Sequence, residues 1–448
     1  HAEVSLAEEF NRLTQKSSEL TNVEYIESLL EMVQIQKNIT YTPKQKSAII
    51  TSLTNKVSVI TGGPGTGKTT IIDGIIQIYA NYFNISLKDE FIGEEIALMA
   101  PTGRAAKRMQ EVLDLPAFTI HRQLGFGYDG LFTYDEKNKM PQKLIIIDES
   151  SMIDIFLANK LFQALSDEAQ VIIVGDVDQL PSVGPGAILK DIIDSNTIPV
   201  VKLNEIHRQA KDSNIIKLAH LVNQQNLNMY SLESANDLFL KNIYPEQIKE
   251  IMINQIQGAL NRGYDMINDI QVLIPTYKGD YGIDSINELL QKNFNDLSNP
   301  YLSYKDKKFY LNDKVIQLVN DPKNFVMNGD IGYVKRIGES NDNKKYLIVN
   351  FDGQEVLYEE SDLDALSLAY AMSIHKSQGS EYKIVILPLV KQYMHMLKKE
   401  LLYTAITRAK QYLLILGDMD LLVYAANHLA EQRKTTLKQR LINIKKIS

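Results

Sequence analysis

The chain of 448 residues contains no cysteine and no tryptophan. The lack of cysteine excludes disulfide bonds, thiolate zinc sites and cysteine-ligated iron–sulfur clusters. Apolar runs are short, and none approaches the roughly 18 unbroken apolar residues of a transmembrane helix. No N-terminal signal peptide is recognisable either. We therefore expect a cytoplasmic protein that makes no contact with a membrane.

Basic residues are fewer than acidic ones, 48 against 55, so the formal net charge is −7. This argues against a protein that coats duplex DNA by bulk attraction, since phosphate binding relies on lysine and arginine. A local basic channel is still compatible with an acidic exterior, because the field that steers a ligand is local. The chain opens with His1 and Ala2 instead of methionine, so we expect an N-terminal part to be missing.

The order of apolar runs along the chain predicts an α/β protein with parallel sheets. The first forty residues have the apolar spacing of two helices. Short, mostly apolar runs then alternate with helical stretches, which is typical of strands covered on both faces. These runs are Val57–Ile60, Ile96–Ala100, Leu144–Ile147, Val171–Val174, Val201–Leu203, Gln271–Ile274, Ala369–Ser373, Ile384–Pro388 and Tyr412–Leu416.

Two insertions interrupt this alternation. A Gly- and Tyr-rich segment over 124–140 predicts a short exposed hairpin, and short strands between turns over 301–358 indicate a small all-β barrel. We therefore predict an N-terminal helical segment (1–40) and a first α/β domain (41–197) that carries the hairpin. A second α/β domain (198–300 and 359–448) carries the barrel (301–358).

A glycine-rich segment, GGPGTGKTT over 62–70, links a predicted strand to an apolar helix. Its glycines let backbone N–H groups turn toward phosphates, and the helix N-terminus adds its dipole. Lys68 is placed to reach the β and γ oxygens, and Thr69 to ligate Mg²⁺. The segment predicts a nucleotide-binding loop formed by Gly63, Pro64, Gly65, Thr66, Gly67, Lys68, Thr69 and Thr70.

Polar residues follow two further buried strands. Leu144–Ile147 ends at Asp148 and Glu149, and the strand brings both carboxylates to the carboxyl edge of the sheet, where α/β sites lie. We predict that Asp148 holds Mg²⁺ through water and that Glu149 polarises the attacking water. Gln179 follows the next strand and is positioned to face the γ-phosphate, although an ordinary Gly-Asp turn is the alternative. Together these residues predict NTP hydrolysis.

Single residues leave alternatives open. Gln45 precedes the first strand and is a candidate adenine contact, but one glutamine is weak support. Arg208 and Arg408 each fit a surface ion pair or an arginine that stabilises a transferring phosphoryl group. Thr102 fits a helix N-cap. His121 lacks further residues at metal-ligand spacing and fits a packed histidine, so no structural metal is predicted.

Seven segments in order resemble the motif series of superfamily 1 helicases, specifically the RecD-like branch. The resemblance extends from residue 42 to residue 417 and implies two RecA-like domains with ATP in the cleft between them. It also implies single-stranded DNA across both domains, 5′→3′ movement, and a setting in DNA repair and recombination. The segments are GGPGTGKTT, APTGRAA, IIIDESSM, VGDVDQLPSVGPG, NEIHRQ, MSIHKSQGSEY and LLYTAITRAK.

The resemblance also assigns roles to individual residues. Gln45 would contact adenine, Arg208 and Arg408 the γ-phosphate, and Gly379 and Glu381 the nucleotide side of the second domain. The hairpin corresponds to a strand-splitting pin and the barrel to an SH3-like module. With no tryptophan, base stacking in the hairpin would fall to Phe126, Tyr128, Phe132 and Tyr134. The implied DNA-binding residues are Thr102, Gly103, Arg104, Thr119, His121, Arg122, His375, Lys376, Ser377 and Gln378.

The first hypothesis is an ATP-dependent 5′→3′ DNA helicase that acts on single strands and on junctions of single- and double-stranded DNA. The second is a translocase that displaces proteins without unwinding alone, because the N-terminal region of stand-alone RecD-like proteins is almost absent. That region would also contact other repair proteins. A nucleotide-gated binding subunit is disfavoured by Glu149 and the two arginines. RNA as the track stays open, since backbone contacts say little about the sugar.

Overall fold

A computed structural model describes residues 1–127, 130–204, 212–228, 233–321, 323–340 and 342–447. The chain forms two units. The first comprises His1–Lys211 together with Glu431–Ser448, and the second comprises Asp212–Ala430. Among the described residues, no helix is both long and apolar enough to cross a membrane.

The first unit is built on a six-stranded parallel sheet with strand order β3-β2-β4-β5-β1-β6. Successive residues of a strand face opposite sides, and both sides are buried. Ile145 and Ile147, for example, join one apolar cluster, whereas Leu144 and Ile146 join the other. The strands are β1 (Val57–Gly62), β2 (Ile96–Ala100), β3 (Ala117–Thr119), β4 (Leu144–Ile147), β5 (Gln170–Gly175) and β6 (Val200–Leu203).

Helices cover both faces of this sheet, and local sequence signals set their ends. Thr42 and Gln45 form a capping box on either side of Pro43, the first residue of its helix. Asp154 accepts from the N–H groups of Phe156 and Leu157. The helices up to this point of the chain are α1 (Ala2–Thr14), α2 (Val23–Lys37), α3 (Pro43–Thr54), α4 (Lys68–Phe83), α5 (Gly103–Leu113), α6 (Ile120–Gln123), α7 (Ile155–Ala164) and α8 (Ile188–Ser195).

The second unit contains another parallel sheet and an antiparallel module. Its helices are α9 (Asn214–Asn223), α10 (Pro245–Asn261), α11 (Ile283–Phe294), α12 (Lys399–Ile406) and α13 (Met419–Asn427). Its strands are β7 (Leu238–Asn242), β8 (Ile270–Ile274), β9 (Tyr301–Tyr304), β10 (Lys307–Tyr310), β11 (Lys314–Gln317), β12 (Ile331–Glu339), β13 (Lys345–Phe351), β14 (Gln354–Glu359), β15 (Leu366–Leu368), β16 (Ala371–Ser373), β17 (Tyr382–Leu389) and β18 (Ala409–Gly417). The parallel sheet has the order β16-β8-β17-β18-β7.

The antiparallel module has the strand order β14-β13-β12-β11-β15 and an adjoining β9–β10 hairpin. Two adjacent buried residues of opposite charge join it to the rest of the second unit. Asp313 accepts from Tyr370 Oη at 2.9 Å and from Asn295 Nδ2 at 2.7 Å. Lys314 Nζ donates to the carbonyl oxygen of Ile270 at 2.8 Å. These buried polar bonds hold the module in a defined orientation on its own unit.

The last helix, α14 (Leu437–Ile447), belongs to the first unit. Its Leu437 and Leu441 enter the same apolar cluster as Leu6 and Phe10 of α1. Thr435 Oγ1 donates to Asp191 Oδ1 of α8 at 2.9 Å. The two ends of the described chain therefore pack into one core.

The predicted α/β fold class is confirmed, and the boundaries of its parts differ from the predicted ones. Residues 198–204 and 431–448 were predicted in the second domain. However, β6 pairs with β1, and α14 packs on α1, within the first unit. The antiparallel module extends beyond the predicted 301–358, because β15 pairs with β11. Within the predicted hairpin over 124–140, Phe126 and Phe132 form an antiparallel bridge; Tyr128 lies outside the described residues.

Candidate functional site

The carboxyl edge of the first sheet brings three of the predicted segments together. Neighbouring strands β4, β5 and β1 end at Ile147, Gly175 and Gly62, and Thr61 lies in register with Gly175. The phosphate loop follows β1, the two carboxylates follow β4, and Gln179 follows β5. A site at this edge is where parallel α/β sheets place their ligands.

The phosphate loop is closed by its own hydrogen bonds. Lys68 Nζ donates to the carbonyl oxygens of Gly62 at 2.7 Å and Gly63 at 3.0 Å, and Thr66 Oγ1 donates to Gly63 O at 2.8 Å. Gly65 and Gly67 have φ angles of 71° and 82°, which glycine adopts without strain. Helix α4 begins at Lys68, and no side chain caps its first N–H groups, so the helix start is suited to an anion.

Gln45 reaches the phosphate loop from α3. Its Nε2 donates to Thr66 O at 3.1 Å, and its Oε1 accepts from Thr42 N at 3.0 Å. The side chain is 3% exposed. A Cβ added to Gly67 would lie 2.4 Å from this Nε2. Gln45 therefore braces the loop, in addition to its predicted role at adenine.

The two carboxylates after β4 have different environments. Burial raises the pKa of the Asp148 carboxyl to about 6, and the negative charge of Glu149 adds to this rise. The Glu149 N–H donates to Asp148 Oδ1 at 2.8 Å, and Lys68 and Arg108 oppose the rise. Glu149 has a φ of 51°, in the left-handed region where a non-glycine residue stores strain. Such strain is typical of functional positions.

Gln179 carries a buried oxygen without a hydrogen-bond donor. Its Nε2 lies 3.4 Å from Asp176 Oδ2, while its Oε1 has no partner among the described residues. Both side chains are buried, at 7% and 1% exposure. A buried acceptor without a donor is costly, so this oxygen is available to a bound group. Asp176 was not among the predicted site residues, although it lies in the same GDVDQ segment as Gln179.

The residues predicted to bind a metal offer one hydroxyl and one carboxylate, from Thr69 and Asp148. In the part of the chain that the structure describes, no three His, Asp or Glu side chains form a metal-binding group. A cation at this edge would therefore complete its coordination with nucleotide oxygens and water. Hard divalent cations bound through phosphates are held in this way.

Two predicted DNA-binding segments begin helices at neighbouring strand ends. Ala100 of β2 lies in register with Thr119 of β3. Thr102 Oγ1 accepts from Ala105 N at 3.3 Å, where Gly103 and Arg104 begin α5, and Thr119 Oγ1 accepts from Arg122 N at 3.2 Å. Both threonines are N-caps, as the alternative interpretation of Thr102 proposed. A hydroxyl that accepts a cap bond keeps its own proton for another acceptor.

His121 lies among aromatic rings of the insertion. Its ring centroid is 5.7 Å from that of Phe126 and 6.1 Å from that of Phe132. Burial lowers its pKa, so the imidazole is predominantly neutral at pH 7. The Arg122 guanidinium lies 4.5 Å from the Phe118 ring centroid. The His121 ring therefore packs against the segment predicted to carry the pin, whereas Arg122 packs on β3.

The second unit carries the remaining predicted residues near the end of β16. His375, Lys376 and Ser377 form one 3-10 turn, and burial lowers the pKa of both His375 and Lys376. Ser377 Oγ donates to Ile374 O at 2.7 Å, so this hydroxyl is used within the turn. Gln378 is buried, Gly379 has a φ of 71°, and Glu381 pairs with Lys410 at 3.3 Å.

Arg408 is buried within the second unit, at 2% exposure. Its guanidinium donates to Thr404 O at 3.1 Å, Ser380 O at 3.1 Å and Thr407 Oγ1 at 3.2 Å. A surface ion pair is therefore not its role. Arg208, its predicted counterpart, lies outside the described residues.

Comparison with known protein families matches three segments in the order expected for a helicase. An AAA domain model matches residues 45–185. A model of the ATP-dependent RecD-like DNA helicase SH3 domain matches residues 286–351. A model of the UvrD-like helicase C-terminal domain matches residues 368–416.

Individual relatives agree with these matches. The chain is 33% identical over 390 residues to an ATP-dependent RecD2 DNA helicase of Deinococcus radiodurans, covering 86% of this chain and 50% of that protein. It is 28% identical over 427 residues to the RecBCD enzyme subunit RecD of Mycolicibacterium smegmatis, covering 89% and 74%. The chain thus spans half of the length of the Deinococcus relative.

Solved structures share the fold. A crystal structure of a Pif1 helicase from Candida albicans superposes with a TM-score of 0.50 at 20% identity, covering 92% of this chain and 100% of that chain. A structure of Pif1 helicases at forked double-stranded DNA gives 0.51 at 17% identity, covering 91% and 97%. At this identity the likeness concerns the fold alone. The matched family models and the RecD relatives make the chain similar to the RecD-like branch of the superfamily 1 helicases over most of its length.

Proposed function

We propose that this chain is an ATP-dependent DNA helicase that moves 5′→3′ along single-stranded DNA and couples ATP hydrolysis to strand separation. One observation carries the proposal. The phosphate loop, the carboxylates after β4 and Gln179 lie at the same sheet edge as the capped helix starts after β2 and β3. A nucleotide site and polar side chains suited to a sugar-phosphate backbone therefore share one edge.

In this proposal the first unit supplies the hydrolytic residues. Gly63–Thr70 present N–H groups and the Lys68 ammonium to the phosphates of ATP, and Gln45 contacts adenine. Thr69 and Asp148 would hold Mg²⁺, which when bound supplies positive charge against the developing phosphate charge. Glu149 orients water, and the unpartnered Oε1 of Gln179 faces the same space. Arg208, Arg408, Gly379 and Glu381 are the proposed residues for the γ-phosphate and the nucleotide.

The proposed DNA contacts are made to the backbone of the strand. Thr102 and Thr119 each keep a hydroxyl proton that can be donated to a phosphate oxygen. Arg104, Arg122 and Lys376 supply positive charge, whereas His121 and His375 are predominantly neutral and contribute packing and hydrogen bonds. Gly103, Ser377 and Gln378 complete the set. In this proposal the protein works in the cytoplasm on single strands and on single-strand/double-strand junctions.

Two assays test the proposal. The first measures the rate of ATP hydrolysis with and without a short poly-dT strand, and the second measures the unwinding of duplexes with a 5′ or a 3′ tail. Stimulation by poly-dT and unwinding only from the 5′ tail are expected. If the rate of ATP hydrolysis by the wild-type protein does not change when DNA is added, the proposed DNA contacts are wrong. Poly-U in place of poly-dT tests RNA as a track.

The translocase alternative depends on how small the insertion over 124–140 is. In this short loop the rings of Phe126 and Phe132 lie 4.9 Å apart, and Phe126 is 45% exposed. Deletion of residues 127–139 is expected to abolish unwinding and to preserve DNA-stimulated ATP hydrolysis. If the intact chain hydrolyses ATP on DNA but does not unwind, the translocase function is favoured.

A further inference from the structure

The loop after Gln179 is held by a side chain from the last part of the chain. Arg433 Nη1 donates to Ser182 Oγ at 3.2 Å and to Gly186 O at 2.9 Å. The same guanidinium also donates to the carbonyl oxygens of Ser182 and Gly184. One side chain thus binds four acceptors that lie within residues 182–186.

These bonds need the shape of an arginine. The guanidinium is a planar fork with fixed donor directions, and hydrogen bonds from a cation are about twice as strong as neutral ones. A lysine ammonium at this position has a similar charge but cannot reach carbonyls spread from Ser182 to Gly186 in one fixed geometry. The loop is therefore ordered by a residue whose replacement by lysine is not conservative.

The same loop also contacts the start of α7. Ile155 N donates to Pro185 O at 2.9 Å. A Cβ added to Gly184 would lie 2.5 Å from Asp154 Oδ2, so the backbone passes directly against this helix cap. The loop is therefore bonded both to the start of α7 and to Arg433. Gln179 directly precedes this loop in the chain.

Arg433 also stands close to the boundary of the two units in the sequence. Ala430 is the last residue of the second unit, and its N–H donates to Glu400 Oε2 within that unit at 2.9 Å. Three residues later Arg433 binds the loop of the first unit. Thr435 and Thr436 follow at once with bonds to Asp191 and Glu3. Within the first unit, residues 433–436 are thus bonded to the loop, to α8 and to α1.

We propose that Arg433 is a positioning residue of the ATPase cycle. It holds the loop 180–186 so that the Oε1 of Gln179 stays at the nucleotide edge of the first sheet. It also ties this loop to the segment through which the chain returns from the second unit. The inference rests on the proposed function, because it assigns Gln179 to the γ-phosphate.

The test compares Arg433→Lys with wild type in the full chain. We expect kcat of poly-dT-stimulated ATP hydrolysis to fall about tenfold, with KM for ATP within about twofold, because a misplaced Gln179 affects the transition state and not nucleotide binding. Backbone amides of residues 180–187 are expected to exchange hydrogen about tenfold faster. Ser182→Ala, which removes one of the four acceptors, should change both quantities in the same direction by a smaller factor.

Arg440→Lys is the matched control, since Arg440 lies on the terminal helix α14 and, among the described residues, donates to Thr436 Oγ1 and not to the loop 182–186. It should leave kcat and loop exchange unchanged. If hydrogen exchange of the loop is faster in Arg433→Lys but kcat is unchanged, Arg433 orders the loop without affecting catalysis, and its role in the ATPase cycle is overturned. If hydrogen exchange is unchanged, the whole inference is overturned. A wild-type chain without ATPase activity would instead overturn the proposed function, while the exchange data would still show whether Arg433 orders the loop.

Discussion

The side-chain amide of Gln45 donates to the carbonyl oxygen of Thr66 across 3.1 Å, so helix α3 is bonded directly to the phosphate loop. The same side chain completes the capping box of α3 through Thr42. A residue predicted to contact a nucleotide base thus also supports the loop for the phosphates. These two roles have different consequences for nucleotide specificity.

Gln45→Glu separates the two roles. The variant keeps an oxygen for the Thr42 N–H but replaces the donor to Thr66 O by a second acceptor. If the main role of Gln45 is to support the phosphate loop, the affinities for ATP and GTP should fall by a similar factor, about tenfold. The reason is that the hydrogen bond to Thr66 O is lost and a carboxylate oxygen then faces this carbonyl oxygen. Fluorescent analogues of both nucleotides measure this. Lys44→Ala, at an exposed position of the same helix, is the control, and a loss confined to ATP would favour adenine contact.

Lys68→Ala should abolish DNA-stimulated hydrolysis while the fold stays intact. The ammonium donates to two carbonyl oxygens of its own loop, which is the loop proposed to bind the phosphates. Loss of such an electrostatic contact lowers kcat by about 100-fold or more. Steady-state ATPase assays with poly-dT, together with thermal unfolding, measure both quantities. Wild-type turnover in this variant would contradict the assignment of the nucleotide site.

Arg408→Lys should destabilise the second unit as well as lower activity. Its guanidinium is buried and donates to three acceptors, which a lysine cannot satisfy together. We expect the free energy of unfolding to fall by about 2 kcal/mol, as for other buried charges that lose partners. Lys410→Ala removes only an exposed ion pair and should change it by less than about 0.5 kcal/mol. Denaturant titration of both variants provides the comparison.

Asp191→Asn should stabilise the first unit at neutral pH. Asp191 is 7% exposed, and its Oδ2 has no partner among the described residues. Burial raises the pKa of its carboxyl, and the negative charges of Glu3 and Asp194 also raise it, although Thr435 donates to Oδ1 and lowers it. An asparagine keeps the bond from Thr435 without the buried charge.

The sign of the effect depends on pH. Because the folded pKa exceeds the unfolded one, the wild-type free energy of unfolding falls as pH rises from the unfolded to the folded pKa. The variant lacks this loss, so its advantage, about 1 kcal/mol, should be present at pH 7 and vanish below about pH 4. Glu27→Gln, at an exposed position of α2, is the control. An advantage that is equal at both pH values would contradict the titration of Asp191.

The predicted strands that are apolar on both faces were found close to their predicted bounds. Ile96–Ala100 and Leu144–Ile147 agree in every residue. Two strands of the parallel sheets were missed. Ala117–Thr119 has only three residues, and Leu238–Asn242 ends in the polar pair Lys241–Asn242 at the edge of its sheet. Short edge strands bury little apolar area, so their sequences carry little of the periodic signal.

Local sequence patterns were sufficient to predict the α/β class, the phosphate loop, and the carboxylates and amide after β4 and β5. Each of these depends on neighbouring residues: a strand, a turn and a helix in direct succession. Long-range contacts in the folded chain establish that β6 joins the first sheet, that α14 packs on α1, and that Arg433 binds the loop at Ser182. Such pairs are distant in the chain, and their hydrogen bonds and packing leave no local pattern from which sequence reasoning could find them.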